Sequence, residues 1–199
     1  METSDSTVRC VLSELVHGAV ARSALRASAL TESYLVGVLL DFLRSDPQRL
    51  GLLLGAEWLK ATALPPLLRY RRVREIADTT LFLSGVFADY VDSSATGSDY
   101  YRSIGTRAYL DLGALAQNRG CSESPPSADI FADTYNDLGR RFQQFALVLS
   151  TIADRELFPA QRRVLALYQR WLERGSERHR RRLLSLGVTL EIPDPLRPN

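Results

Sequence analysis

Apolar residues recur at alternating steps of four and three residues in the second half of the chain. The series is Phe131, Tyr135, Leu138, Phe142, Phe145, Leu149 and Ile152. Such a spacing, held over about three heptads, places the apolar side chains on one side of an α-helix. We expect this helix to begin after Pro126, with Ser127 as its N-cap, and to end before Phe158-Pro159. The pattern suits a long bundle helix or a coiled-coil-like pair, including a pair across a dimer axis.

Helical periodicity also dominates the rest of the chain. The first helix is expected from about Thr7, and others over residues 31–43, 48–63, 73–91, 98–118 and 160–174. Gly175-Ser176 either ends the last of these and caps an eighth helix, or kinks one continuous helix. The sequence therefore predicts a single all-α domain over residues 1–187, packed as an irregular bundle of about seven to eight helices. A short extended, proline-rich tail is expected at residues 188–199.

The composition narrows the class of protein and its compartment. A hydrophobic content of 45% and a charged content of 24% are ordinary for a globular domain, and a net charge of +2 is small for a dedicated nucleic-acid binder. Cys10 and Cys121 lie far apart, and the N-terminal METSDSTVRC lacks the apolar region of a secretory signal. The apolar run YLVGVLLDFL is broken by Asp41 and is too short to span a bilayer. We therefore expect a cytoplasmic protein without a disulfide framework or a membrane segment.

Basic residues are nearly all arginine and are concentrated in two runs; Lys60 is the only lysine. The first run comprises Arg69, Arg71, Arg72 and Arg74, and the second comprises Arg174, Arg178, Arg181 and Arg182. On a helical wheel, the second run lies opposite the face that carries Leu183. These arginines are interpreted as a solvated outer helix face, as a patch for nucleic acid or another polyanion, or as a patch for an acidic protein surface. The two runs strengthen the binding hypothesis only if they share one surface.

Residue patterns that carry catalysis or bind metals are weak in this chain. Glu14 and His17 have the Glu-x-x-His spacing of helical di-iron sites, but a second copy of the motif is missing and His179 lies in a run with the wrong spacing. A Gly-x-Ser-x-Gly elbow, a Walker loop and a dinucleotide fingerprint are also missing. We therefore expect no catalytic residue, no cofactor and no metal, and the absence of a catalytic constellation favours a non-enzymatic protein.

Aromatic and acidic residues on the predicted helices suggest two further features. Asp78 and Asp89 are expected on the side of their helix opposite its core stripe, next to Phe82. That side is interpreted as water-facing, or alternatively as a partner groove with Phe82 as its anchor. Four tyrosines at helical spacing are typical of a core, with a pocket lining as the alternative: Tyr100, Tyr101, Tyr109 and Tyr135.

Three runs of sequence resemble a group of bacterial all-helical proteins of about this length that have no assigned activity. The runs are VREIADTTLFLSGVFADYV, SDYYRSIGTRAYLDLG and LYQRWLERGSERHRRRLLSLGV. The resemblance covers roughly residues 30–187 and is one of overall pattern, without a motif that carries chemistry. It implies a bacterial cytoplasmic protein and supplies no catalytic residue.

The sequence favours a non-enzymatic regulatory or scaffold protein that acts through protein–protein interaction, including self-association as a homodimer. The heptad spacing and the arginine-rich outer faces of amphipathic helices support this hypothesis. One alternative is a nucleic-acid-binding regulator that uses both arginine runs, and a second is a helical bundle that binds a small ligand between its helices. No membrane partner is expected.

Overall fold

The computed structural model describes residues 2–44, 54–93, 97–117 and 128–153, and residues 164–186 apart from positions 165, 169, 172 and 173. The helices are α1 (Glu2–Arg22), α2 (Ala29–Arg44), α3 (Leu54–Thr62), α4 (Pro66–Val86), α5 (Ala88–Ser93), α6 (Gly97–Gln117), α7 (Ala128–Arg140), α8 (Phe142–Ala153) and α9 (Glu177–Ser185). The described residues contain no strand, and the predicted all-α fold class is confirmed. None of these helices combines the length and the apolar character needed to cross a membrane.

Helix α4 lies at the centre of the bundle. It packs most extensively on α6 and α8 and also contacts α2, α3 and α5. Pro66 stands in its first turn, where a missing backbone N–H costs no helical hydrogen bond. The hydroxyl of Thr80 is fully buried and donates to the carbonyl oxygen of Ile76 at 2.6 Å, so this polar group is satisfied inside the core. Because several helices surround its second half, nearly every residue from Ile76 to Val86 is buried, whereas the first half leaves Arg71 and Glu75 exposed.

Two glycines allow this close packing of helices. A Cβ atom on Gly85 of α4 would lie 2.5 Å from the Cβ of Leu149 on α8. At Gly105 of α6, the ring of Phe142 occupies the space that a Cβ atom would need. Any larger residue at either position would therefore force the helices apart or displace the ring.

The apolar series from Phe131 to Ile152 forms two helices rather than the single long one that the spacing predicts. The chain bends at Arg141, although its N–H still donates to the carbonyl of Asp137 at 3.0 Å. The Arg141 guanidinium contacts the Asp137 carboxylate and donates to the carbonyl of Arg26 at 2.8 Å. After the bend the packing partner changes, because α7 packs mainly on α6 whereas α8 packs mainly on α4. All of the series beyond Phe131 is buried within the chain, so the bundle interpretation is confirmed and these residues provide no seam for a dimer.

Other helix boundaries differ from the prediction in detail. Helix α1 begins at Glu2, before Thr7. The second helix is capped by Ser28, whose Oγ accepts a hydrogen bond from the N–H of Thr31 at 3.1 Å, while Thr31 itself is buried inside the helix. The helix expected over residues 73–91 is divided at Phe87 into α4 and α5. The predicted N-cap Ser127 and the tail at residues 188–199 lie outside the described residues.

Residues 164–186 form a C-terminal hairpin with its own small apolar cluster. The described residues from 164 to 171 are helical, and Val164 is buried with Leu183 of α9. Tyr168 packs against this cluster and also against the main core. Gly175 adopts a positive φ of 57°, which ends the first helix of the hairpin and favours glycine. Of the two alternatives for Gly175-Ser176, the structure shows a helix end followed by a new helix rather than a kink in one continuous helix.

Candidate functional sites

Four helices bring polar side chains together around Asp78 of α4, inside the main core. The Oδ1 atom of Asp78 accepts hydrogen bonds from the hydroxyl of Tyr34 on α2 at 2.5 Å and from that of Tyr109 on α6 at 2.8 Å. Arg74, one turn earlier on α4, places its Nε 3.5 Å from Oδ2. Tyr135 of α7 packs beside these residues. We call Tyr34, Arg74, Asp78, Tyr109 and Tyr135 the Asp78 cluster.

Aromatic contacts enclose the charges of the Asp78 cluster. The rings of Tyr34 and Tyr135 meet edge to face with centroids 5.5 Å apart, and the Arg74 guanidinium lies 5.4 Å from the centroid of the Tyr34 ring. The hydroxyl of Tyr135 forms a 2.7 Å hydrogen bond with that of Tyr70. The hydroxyls of Tyr34, Tyr109 and Tyr135 thus all have partners, as buried polar groups require.

Burial controls the protonation of this cluster. Loss of solvent raises the pKa of Asp78, while Arg74 and the hydroxyls of Tyr34 and Tyr109 partly oppose that rise. Burial, together with the neighbouring Asp78 charge, raises the pKa of Tyr34 and of Tyr109 well above the usual value for a phenol. Both phenols therefore stay protonated near neutral pH and act as hydrogen-bond donors to the carboxylate.

The structure corrects two predictions about this side of α4. Asp78 is not water-facing, because only 14% of its side chain is exposed. Phe82 is fully buried and stacks on Phe42 with centroids 4.0 Å apart, so its interpretation as an exposed partner anchor is wrong. The physical reason is that α2 and α6 cover this side of α4. The core interpretation of the tyrosines is confirmed for Tyr101, Tyr109 and Tyr135, which are all buried.

The first arginine run is largely paired with acids on neighbouring turns and helices. Arg72 forms ion pairs with Glu57 of α3 and, at 2.7 Å, with Glu75 of α4. Hydrogen bonds from Arg72 and Lys60 lower the pKa of Glu57. Arg74 belongs to the Asp78 cluster, Arg69 is partly buried and Arg71 is exposed. The predicted first patch is therefore divided, and Arg71 is its most exposed member.

The second arginine run lines an open cavity on the C-terminal hairpin. Its volume is about 840 Å³, and its lining comprises Arg174, Ser176, Arg178, His179, Arg181, Arg182 and Ser185. We call this surface the arginine groove. Glu177 pairs with Arg180 at 3.2 Å and with Arg181 at 3.9 Å. Within the described part of the chain, no carboxylate lies within ion-pair distance of Arg174, Arg178 or Arg182.

The surroundings of the arginine groove are partly apolar. Leu184 is 44% exposed and Leu186 is 39% exposed, whereas Leu183 between them is fully buried against Val164. The lining of the groove includes no arginine of the first run, so the cavity does not bring the two runs together. The groove is a local basic surface without a leucine in its lining, and the exposed Leu186 follows the lining residue Ser185 in the chain.

Two other residues that the sequence suggests for chemistry, His17 and Cys10, have simple environments. His17 places its Nδ1 atom 3.0 Å from Oε2 of Glu32, an exposed contact that joins α1 to α2. Cys10 is a free, exposed thiol whose Sγ lies 4.0 Å from Glu14. The described residues contain no group of three metal-ligating side chains. Cys121 lies outside the described residues.

No family model, curated protein or solved structure matches this chain. Of the two candidate sites, the Asp78 cluster satisfies its own polar groups. In the arginine groove, Arg174, Arg178 and Arg182 have no acidic partner among the described residues, whereas Arg181 pairs with Glu177.

Proposed function

We propose that this chain is a non-enzymatic regulatory or scaffold protein that binds an acidic segment of a partner protein in the arginine groove. The observation that carries the proposal is the set of exposed guanidinium groups on Arg174, Arg178 and Arg182, which have no acidic partner among the described residues. The bacterial cytoplasm is the compartment we propose for this interaction. The proposal needs no bound cofactor.

Guanidinium chemistry supports a carboxylate ligand. An arginine side chain offers parallel N–H donors whose spacing matches the two oxygens of a carboxylate. Each isolated contact in water is weak, but several contacts in one cavity add up and hold the ligand in one orientation. Four arginines line a single cavity here, so a ligand with several carboxylates gains most.

Two observations favour a protein partner over a nucleic acid. A nucleic-acid site built from both runs would sum many phosphate contacts, but Arg72 and Arg74 are already paired with acids of this chain. The exposed Leu186, which lies next to Arg182 on the wheel of α9, suits an apolar side chain, which a phosphate backbone lacks. A second copy of this chain is a less suitable partner through the apolar series, because α6 and α4 already cover it.

Fluorescence anisotropy tests the proposal directly. A labelled peptide of about 16 residues rich in glutamate and leucine is titrated with the full chain, beside a labelled single-stranded DNA and a labelled duplex of equal charge. We expect saturable peptide binding that weakens as salt rises from about 0.05 to about 0.3 M, and weaker binding of both nucleic acids.

Charge reversal locates the site. The double variant R178E/R182E should lower peptide affinity by about tenfold or more, because it replaces attraction by repulsion at two contacts. The matched control is R9E, because Arg9 is an exposed arginine on α1, and this variant should leave the peptide affinity unchanged. The proposal fails if the peptide does not bind, if R9E weakens binding as much as the groove variant, or if DNA binds more tightly than the peptide.

A further inference from the structure

We infer that the acidic segment bound in the arginine groove carries a phosphorylated side chain, and that Arg178, Arg181 and Arg182 together hold its phosphate monoester. This inference rests on the proposed function and specifies the chemistry of the ligand. Two features of the C-terminal hairpin carry it: the composition of the groove lining, and the spacing of these three arginines on α9.

The lining of the groove is polar throughout. Besides its four arginines it contains His179, Ser176 and Ser185, so every described lining side chain can form a hydrogen bond. Ser176 forms no side-chain capping hydrogen bond at the start of α9, so its hydroxyl can donate to a ligand. Among the residues that the structure describes, neither an apolar nor an acidic side chain belongs to this lining. A compact anion with several acceptor oxygens therefore matches the groove better than an apolar side chain does.

Three of the four arginines are neighbours on one face of α9. Arg181 and Arg182 follow Arg178 by three and four residues, and residues at these spacings are adjacent on a helix surface. On the helical wheel the three arginines span about 100°, and Ser185 lies between Arg181 and Arg182. Because the side chain of Ser185 is short, the guanidinium groups around it can reach one ligand placed over this face.

These three arginines are only weakly neutralised by the described part of the chain. Arg178 and Arg182 have no acidic partner there, and two like charges four residues apart destabilise a helix. Arg181 lies 3.9 Å from Glu177, which is a long distance for an ion pair, and its side chain is 77% exposed. An anion shared by the three guanidinium groups would remove this repulsion.

A phosphate monoester meets these requirements better than a single carboxylate does. Near neutral pH it carries a charge of about −1.5 to −2 and has three terminal oxygens, whereas a carboxylate has one charge and two oxygens. Its oxygens can therefore accept hydrogen bonds from several arginines at the same time. The phosphodiesters of a nucleic acid carry one charge each, so each of them gains less from three adjacent guanidinium groups.

Three peptides that differ at one central position separate phosphate from carboxylate. The acidic peptide that tests the proposed function carries serine, glutamate or phosphoserine at this position, and each form is titrated with the full chain in anisotropy measurements. We expect the phosphoserine form to bind about tenfold more tightly than the glutamate form, and the serine form to bind most weakly. The phosphorus NMR signal of the phosphoserine should also shift in the complex.

The outcomes distinguish this inference from the proposed function. Equal affinity of the glutamate and phosphoserine forms would overturn the phosphate ligand and leave acidic-segment binding standing. Failure of all three forms to bind would remove the proposed function itself, and the phosphate ligand with it. Inorganic phosphate should displace the labelled phosphoserine form much less effectively than the unlabelled phosphoserine peptide does. If both competed equally well, free phosphate rather than a phosphorylated segment would be the ligand, and the inference would be wrong.

Loss of one arginine tests whether the phosphate is shared. R182Q should lower the affinity for the phosphoserine form about tenfold and that for the glutamate form about threefold, because the phosphate contacts more guanidinium groups than the carboxylate does. R9Q serves as the control, since Arg9 is exposed on α1, and it should change neither affinity. An equal loss for both forms in R182Q, with an unchanged circular dichroism spectrum, would contradict the shared contact.

Substitution of Ser185 locates the phosphate on this face. S185D places a carboxylate between Arg181 and Arg182 and should lower the affinity for the phosphoserine form about tenfold. S185A should leave this affinity unchanged, because the hydroxyl of Ser185 already donates to the carbonyl oxygen of Arg182 at 2.8 Å. The control for the added charge is S13D, since Ser13 is exposed on α1. Unchanged affinity in S185D would show that the phosphate binds elsewhere and would refute the inference.

Discussion

The Asp78 cluster and the arginine groove use similar charged residues in opposite ways. In the cluster, Arg74 and Asp78 meet in the core, and Tyr34 and Tyr109 donate to the carboxylate from two further helices. In the groove, Arg178 and Arg182 project from a short helix whose main anchor is one buried leucine. The cluster satisfies its own charges, whereas three of the four arginines of the groove have no acidic partner among the described residues. The difference indicates that a structural site is distinguished from a binding site by whether its arginines have acidic partners within the chain, and not by how many arginines it contains.

Substitutions in the two regions should also affect different properties of the protein. The Asp78 cluster joins α2, α4, α6 and α7, so a change there acts on four helices at once. Among the described residues of the C-terminal hairpin, Tyr168 packs against the main core, while Val164 and Leu183 form a separate apolar cluster. We therefore expect losses of global stability from the cluster and losses of binding from the groove.

The largest effect is expected from D78A. Alanine removes the acceptor of two buried tyrosine hydroxyls, and leaving those donors unsatisfied should lower the free energy of unfolding by about 3 kcal/mol. D78N is the matched control, since its amide oxygen can still accept both hydrogen bonds and it should cost much less. Urea unfolding followed by circular dichroism measures both variants. If D78A and D78N were equally stable, the hydrogen bonds of Tyr34 and Tyr109 would not be holding α2, α4 and α6 together.

A smaller effect should appear in the pH dependence of stability. Burial raises the pKa of Asp78 in the folded state, so the folded chain binds this proton more readily than the unfolded chain. The contribution of Asp78 to stability is therefore fully present below the unfolded pKa of about 3.9 and decreases as pH rises through the folded pKa. D78N lacks this titration. Its stability relative to the natural chain should thus be higher near neutral pH than at about pH 4.

Urea midpoints of the two chains, measured across this pH range, test the sign. The opposite trend, with D78N gaining relative stability as the pH falls, would show that Arg74 and the tyrosines stabilise the carboxylate more than burial penalises it. In that case the cluster would act as a net ion-pair site rather than as a buried carboxylate held by hydroxyls.

Helical periodicity predicts the all-helical bundle because the apolar residues that repeat along each helix are the residues that pack in its core. Tyr135, Leu138, Phe145 and Leu149 are buried as their spacing indicates. The bend at Arg141 was not predictable from that spacing, because the apolar steps continue through it without interruption. The change of neighbour from α6 to α4 causes the difference, and a single-chain pattern contains no information about which helix lies opposite.

The Asp78 cluster was missed for a related reason. On the wheel of the helix predicted over residues 73–91, Asp78 lies opposite the stripe that includes Val73 and Val91, which normally indicates a water-facing position. A wheel shows the direction of a side chain but not how many helices surround it, and α4 is covered on several sides. The sequence did contain one sign that Asp78 is buried. Phe82 lies beside Asp78 on the side predicted to face water, and an apolar aromatic residue there indicates a second packed face.

The arginine runs look alike in sequence and differ in structure. Acids three and four residues away, Glu75 and Asp78, were visible partners for the first run. Glu57, the interhelical partner of Arg72, could be assigned only after α3 and α4 were placed together. The exposed face of α9 was predictable from its wheel, because Leu183 alone needed to be buried for the arginines to point outward. Local amphipathicity is therefore a better guide at the edge of the bundle than at its centre.

An arginine-to-alanine substitution in each region compares the two regions most directly, and it should have the smallest effects on stability. R74A removes the cation beside a buried carboxylate and should lower the free energy of unfolding by about 1 kcal/mol, a modest value because the arginine is itself partly exposed. R178A removes an exposed cation without an acidic partner among the described residues and puts a strong helix former in α9, so the urea midpoint should not change. Its affinity for the acidic peptide should nevertheless fall about threefold. If R178A lost as much stability as R74A, Arg178 would have a structural partner, and the groove would resemble the cluster rather than contrast with it.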